Sequence, residues 1–413
     1  MSADPINIVL VGSNIAGNSI THYILKHITP SVSTTSRPIK LTIISPSTKF
    51  YFTIGTPRAI LNRPELLKPE AILADIVPEL VKLYGPQGQS WEFYEAWARN
   101  VDFTRKTVTI EPVAGDLKNT QIHYDHLILA TGTRNVNPFQ PSEGTSRDAQ
   151  LYNLPPFKPH GTTNESLEAL KSWGDRIATA TTVVLVGAGP TGVETAGEIK
   201  SQYPEKNVIL VTSGDVLPML QPRISDIAKQ QLKKLGVQLQ LNTKVTSVNP
   251  KAKGLEVVLS NGEKISADLF IPTIGQAPNT DFLPKDILDN RGFVVTTNHL
   301  NLPSQPNVWS LGDVTHWDDN RKATTVDAQA QVLTWNLKKA LQDGGKVGKG
   351  EDWKVYTHTT DQMMFVPIGK KYGVGQANGW RVWTFIVRMV KGKNFMVPWI
   401  PKYTTGTQTA KKL

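Results

Sequence analysis

The 413-residue chain contains no cysteine. Structural disulfides, thiolate metal sites and a dithiol redox relay are therefore excluded, and any electrons the protein moves must travel on a bound cofactor. Long apolar runs are missing as well. The best candidate, residues 382–390, is short and interrupted by Arg388, far below the roughly 20 residues of a membrane span. The first apolar run, at 6–10, is too short for a secretory leader and reads as a buried strand. Ser2 stands where an N-myristoyl group needs glycine. The eight histidines are scattered without ligand spacing, so no metal site is expected.

Negative charge is scarce in two places. No Asp or Glu lies between Asp4 and Glu65, and none follows Asp361. Residues 336–413 hold fourteen Lys and Arg against four Asp and Glu, which is the whole net charge of +10. Trp380, Trp383 and Trp399 are interleaved there with Arg381, Arg388, Lys391 and Lys393. Aromatic and basic residues in this mixture suit an anionic membrane surface; the plainer reading is a partly buried terminal subdomain with a solvated basic face.

What the chain does have is one motif written twice. The run TVVLVGAGPTGVETAGEIK gives four apolar strand residues, then Gly187, Gly189 and Gly192, then helical spacing through Val193, Ala196 and Ile199. The next strand, 207–212, arrives at the separation of a βαβ unit. Such a strand–turn–helix start aims backbone amides and a helix N-terminus at a diphosphate. Near the N-terminus INIVLVGSNIAGNS repeats it with Gly12, Ala16 and Gly17, but Asn14 stands in place of the middle glycine. Asn accepts left-handed backbone angles better than most residues, so this turn is expected to serve with weakened contact.

Buried strands ending in tight turns follow each unit: HLILATG at 126–132 and DLFIPTIG at 268–275, then NVWSLGD at 307–313. A stretch rich in Pro, Ser, Asn and Gly at 135–165 and another at 341–352 read as linkers. The fold class expected is α/β, with 39% apolar content sufficient for two or three domains.

In this order the segments resemble the two-dinucleotide-binding-domain flavoproteins of the pyridine nucleotide-disulfide oxidoreductase superfamily. Within it they are most similar to the apoptosis-inducing-factor-like, ferroptosis-suppressor-protein branch and its fungal relatives. Phe50, Tyr51, Phe52 and Arg58, HLILATGT at 126–133, GVETAGEIKSQYPEKNVIL at 192–210, Leu311-Gly312-Asp313 and GKKYGVGQANG at 369–379 carry the resemblance. It implies two Rossmann-like, three-layer ββα domains, the NAD(P)H domain inserted in the FAD domain, and a small C-terminal α+β domain. The implied boundaries are 1–150 and 273–340 for FAD, 151–272 for NAD(P)H, and 341–413 for a basic, aromatic interface domain.

The implied cofactors are FAD and either NADH or NADPH. On the FAD side the resemblance points to Gly12, Asn14, Ala16 and Gly17, to Ser45 at the second strand's end, and to Ala130, Thr131 and Gly132. Gly312 and Asp313 would meet the ribityl chain or pyrophosphate, Gln329 the flavin ring, and Arg58 the pyrophosphate end. Gly187, Gly189 and Gly192 would hold the nicotinamide cofactor. Glu194, read as an acid in a first helical turn, matches a nicotinamide-side position, and Lys391 matches a lysine near the flavin; these two are the candidate catalytic residues. Glu198 reads as structural. Neither Rossmann unit has the ribose-binding acid: Ile44-Ser45 ends one strand and Val211-Thr212-Ser213 the other, leaving NADH and NADPH both open.

The activity implied is hydride transfer from nicotinamide to flavin, then electron delivery to a quinone or another small acceptor. Two other readings stand beside it: a flavoenzyme oxidising a specialised metabolite, and a mainly non-catalytic basic flavoprotein binding membrane or nucleic acid, of which nucleic acid is the less favoured. The expected setting is cytoplasmic with peripheral membrane contact, as monomer or homodimer. The terminal Lys411-Lys412-Leu413 approximates a peroxisomal address.

Overall fold

The computed structural model describes residues 4–32, 37–115, 120–139, 154–317, 323–342, 352–357, 363–408, 410 and 413. Much of the two linkers and the Lys411-Lys412 pair lie outside the described residues. The first sheet is built from β1 (Ile6–Val11), β2 (Ile39–Ser45), β3 (Trp91–Asp102), β4 (Thr107–Pro112), β5 (Thr120–His123) and β6 (His126–Leu129). The chain then forms a second sheet from β7 (Thr182–Val186), β8 (Asn207–Val211), β9 (Gln238–Gln240) and β10 (Leu269–Pro272), and returns with β11 (Val308–Ser310) to the edge of the first. Strand orders are β11-β6-β1-β2-β3-β4-β5 and β9-β8-β7-β10.

Both sheets are parallel at their centres. Parallel strands need cover on both faces, and the alternation of side chains shows what supplies it. Ile8 and Leu10 of β1 join the main helical core, while Val9 and Val11 meet Val101, Val108 and Ile110 of an antiparallel meander. In β7, Val183 and Leu185 face helices, while Val184 and Val186 face Val257, Leu259 and Ile265 of a second meander. The result is twice a meander, a parallel sheet and a helical layer. Strand β3 serves two layers: it pairs parallel to β2 through Glu95 and antiparallel to β4 from Ala96.

Helix α1 (Ile15–Tyr23) follows β1, α2 (Pro190–Gln202) follows β7, and α3 (Ala323–Gln342) closes the first layer. No helix among the described residues is long and apolar enough to cross a membrane. A last antiparallel sheet, β12 (Met364–Ile368), β13 (Tyr372–Ala377) and β14 (Trp380–Val382), lies against α2. Gly197 permits that approach, since a Cβ there would sit 2.8 Å from the Gly369 amide nitrogen.

The C-terminal segment is strapped to the helix behind the first glycine turn. Asn18 Nδ2 donates to Tyr403 O (2.7 Å), His22 Nε2 lies 2.9 Å from Thr404 O, and Lys26 Nζ donates to Ala410 O (2.8 Å). These donors recur every four residues, one face of a helix. Because a carbonyl only accepts, His22 carries its proton on Nε2 and accepts at Nδ1 from the Tyr84 hydroxyl at 2.9 Å.

Candidate active site

The two glycine turns share one construction. Gly12 has φ +104° and Gly187 φ +105°, conformations that disfavour any side chain. A Cβ on Gly17 would lie 1.8 Å from Gly12 O, and one on Gly192 1.9 Å from Gly187 O. Each helix can approach its turn only because those positions are bare. Gly189 has no heavy atom within 4 Å of its Cβ position, so its missing side chain leaves open space at the helix start. At the second turn this is space a side chain would fill, and it fits a dinucleotide's diphosphate; the first turn repeats the backbone construction with Asn14 at that position.

At the first turn Asn14 takes that middle position with φ −80° and ψ −155°, extended angles that make no use of its tolerance for the left-handed region. Its Oδ1 instead accepts the Tyr51 amide at 3.0 Å. Neither α1 nor α2 has an acid in its first turn, which corrects the placement of Glu194: it lies deeper in α2. At the end of β2, Ser45 Oγ lies 2.8 Å from Ser13 Oγ; at the end of β8, Thr212 is buried and no carboxylate takes its place.

Across the first cleft, the turn of Ala130, Thr131 and Gly132 is bracketed by Asn279, a residue the sequence reading missed. Thr131 Oγ1 donates to Asn279 O (2.8 Å), Asn279 Nδ2 to Thr131 O (2.9 Å), and the Asn279 amide to Gly132 O (3.0 Å). Gly312 has φ +79°, and a Cβ there would meet the Ala16 Cβ at 2.7 Å, so the strand end and α1 touch. The Gly312 amide donates to Gln329 Oε1 at 2.7 Å. Gln329 was expected against the flavin ring; its buried carbonyl instead holds the Gly-Asp turn. Asp313 Oδ2 accepts from Lys158 Nζ at 2.6 Å. Lys158 was also missed, being a lone cation among prolines with no motif around it.

The third cluster joins four charges on one patch of α2. Lys391 Nζ lies 2.5 Å from Glu194 Oε1, and Glu198, one turn later, takes Arg58 in a two-pronged pair at 2.7 and 3.0 Å. Arg58 also donates to Lys393 O (2.8 Å) and Gly392 O (2.9 Å), with its guanidinium 4.5 Å from the Phe395 ring centre. Arg58 was expected to face a pyrophosphate. Its charge is instead neutralised by Glu198, and it clamps the C-terminal segment to α2. Burial pushes the Glu194 carboxyl up to about 7, opposed by the adjacent Lys391 ammonium and assisted by the nearby Glu198 carboxylate. The two candidate catalytic residues, inferred separately, are thus direct partners.

The family profile of pyridine nucleotide-disulphide oxidoreductases matches residues 6–332. The chain belongs to this family. Oxidoreductase ptaL of Pestalotiopsis fici is 32% identical over 404 residues, 97% of this chain and 99% of the relative. Ferroptosis suppressor protein 1 of Xenopus laevis is 27% identical over 290 residues, 68% of this chain and 71% of its own. In fold, the chain matches the sulfide:quinone oxidoreductase of Aquifex aeolicus with a TM-score of 0.73 at 15% identity, covering 98% and 93% of the two chains. FAD and NAD(P)H are the cofactors consistent with membership of this family. The disulphide in the family name has no counterpart here, because the chain has no cysteine.

Proposed function

We propose that the protein oxidises NADH or NADPH through FAD and delivers the electrons to a quinone or a similar small acceptor. The observation that carries this reading is the pairing of a half-buried Lys391 in the C-terminal segment with the buried Glu194 of α2, the helix that starts at the second glycine turn. Bound FAD supplies the two-electron relay between nicotinamide and acceptor. Gly187, Gly189, Gly192 and the start of α2 hold the nicotinamide cofactor's diphosphate. Gly12, Asn14, Ala16, Gly17 and Ser45 take the FAD from one side, and Ala130, Thr131, Gly132, Gly312 and Asp313 from the other. When Glu194 carries its proton, the Lys391 ammonium is left uncompensated and would stabilise negative charge that reduction builds nearby. Glu194, with a carboxyl titrating near neutrality, would hold or pass a proton at Oε2, because Oε1 accepts from Lys391 Nζ.

The division into FAD segments at 1–150 and 273–340, an NAD(P)H domain at 151–272 and an interface region at 341–413 belongs to the same proposal. So does a cytoplasmic setting with membrane contact through the interface region. The fold likeness to a sulfide:quinone oxidoreductase supports quinones as the acceptor class to try first. The test is anaerobic addition of NADH or NADPH to FAD-loaded protein, followed by a water-soluble ubiquinone analogue. Bleaching of the visible flavin band and its return with the quinone are expected. Protein that holds FAD yet stays oxidised with both nucleotides would refute the reading; bleaching without quinone turnover would refute the acceptor alone.

A further inference from the structure

Among the described residues the four most exposed large apolar side chains are Trp380 (80%), Trp383 (62%), Phe385 (65%) and Met389 (69%), and the next is Val355 at 49%. All four fall within ten residues. The turn Asn378-Gly379, both with positive φ, reverses the chain so that Trp380 opens β14 opposite Ala377. Beyond it the exposure alternates: Arg381, Trp383 and Phe385 are exposed, while Val382 and Thr384 are half-buried. The Arg381 guanidinium lies 5.2 Å from the Trp383 ring centre. Phe385 and Met389 then line an open groove of about 310 Å³ with Lys370, Arg388, Gly392 and Lys393.

Side chains this apolar, clustered and rimmed by cations, mark an interaction face. Its charge selects among occupants. No Asp or Glu follows Asp361, so a second copy docked symmetrically would set the same cations against each other. Tryptophan with Arg and Lys is the composition of a lipid–water boundary, where the rings sit at headgroup level and the cations meet lipid phosphate.

We infer that this face docks on an anionic phospholipid bilayer. Lys370, Arg388 and Lys393 take lipid phosphates around the groove, Trp383, Phe385 and Met389 enter the acyl boundary, and Trp380, on the other side of β14, adds an exposed ring at its margin. The inference deepens the membrane contact proposed above for residues 341–413, and its consequence rests on the oxidoreductase reading: Gly392 and Lys393 of the groove directly follow Lys391, so a bilayer-dissolved acceptor arrives beside the Lys391–Glu194 pair.

The test is flotation of FAD-loaded protein with phosphatidylcholine vesicles, with and without phosphatidylserine. Binding is expected only with phosphatidylserine, weakening with salt. It should fall more than tenfold in Trp380→Ser/Trp383→Ser, and by about fivefold for each charge removed in Lys370→Gln and Arg388→Gln. Turnover with the water-soluble quinone should be unchanged in the tryptophan variant, which shows that it folds and loads flavin. Absent binding, or equal binding to neutral vesicles, overturns the inference. Self-association abolished by the same tryptophan variant assigns the face to a second copy, and preference for single-stranded DNA assigns it to nucleic acid; either result overturns it too. If vesicle binding holds but no nucleotide reduces the flavin, the proposed function fails and the docking face stands.

Discussion

Arg58 and Glu198 are 6% and 3% exposed, and what such a pair contributes depends on which half is removed. Truncating the cation strands a buried carboxylate, and Arg58→Ala is expected to cost about 3–5 kcal/mol. Replacing both, as Arg58→Met/Glu198→Leu, should recover much of that loss, because no uncompensated charge remains. Denaturant unfolding of the three proteins measures both effects; equal stability of the single and double variants would show that the backbone contacts to Gly392 and Lys393 dominate instead. The glycines separate in the same manner. Gly192→Ala puts a methyl 1.9 Å from Gly187 O and should cost about 4 kcal/mol or more, or prevent soluble expression. Gly189→Ala meets no atom within 4 Å, so its stability should stay within about 0.5 kcal/mol of the parent. The Kd for NADH, measured by titration, is still expected to rise at least tenfold, because the methyl occupies the open space at the helix start.

At the level of elements, the proposed arrangement puts nucleotide choice at the end of β8. A carboxylate at the end of a Rossmann unit's second strand grips the ribose hydroxyls and repels a 2′-phosphate. Strand β8 is followed by Thr212 and an exposed Ser213. The protein is therefore expected to use NADH and NADPH with kcat/KM values within about tenfold of each other. Ser213→Asp should shift the ratio toward NADH by more than about tenfold, roughly 1.4 kcal/mol. Steady-state kinetics with both nucleotides checks this, and an unchanged ratio would show that the 2′ position is read from another element. The strap across α1 is a second element-scale device. It ties Tyr403, Thr404 and Ala410 to the helical segment behind the first glycine turn.

Across the whole molecule, buried histidines set the response to acid. Burial lowers His22, His126 and His160 each to about 4, from an ordinary value of 6.5. Between those limits the unfolded chain binds protons that the folded chain refuses. Their contribution to stability is therefore complete above pH 6.5 and is lost as pH falls toward 4. Glu194 acts in the opposite sense: its carboxyl is raised, so its penalty is absent below 4.5 and grows as pH rises to 7. Three histidines outweigh one carboxyl, and Tm is expected to fall steadily from pH 6.5 to 4.5. His22→Gln, which keeps a donor for Thr404 O and a partner for Tyr84 without a titrating ring, should flatten part of that slope in a thermal-shift series. An identical slope would place the acid response at the other histidines that burial lowers, His27, His126 and His160.

The sequence alone determined whatever is written within a few dozen residues: the strand–turn–helix starts at Gly12 and Gly187, the alternation in β1 and β7, and the missing ribose acids. Local backbone geometry demands those residues, so the demand is visible locally. Glu194 and Lys391 came from resemblance, one residue at a time. Only the tertiary structure decided that they touch, across 197 positions, and that Arg58 meets Glu198 across 140, Thr131 meets Asn279 across 148, and Lys158 meets Asp313 across 155. No short-range rule couples such pairs. A guanidinium looks the same in sequence whether it awaits a phosphate or is already neutralised, and only burial beside a carboxylate tells the two apart.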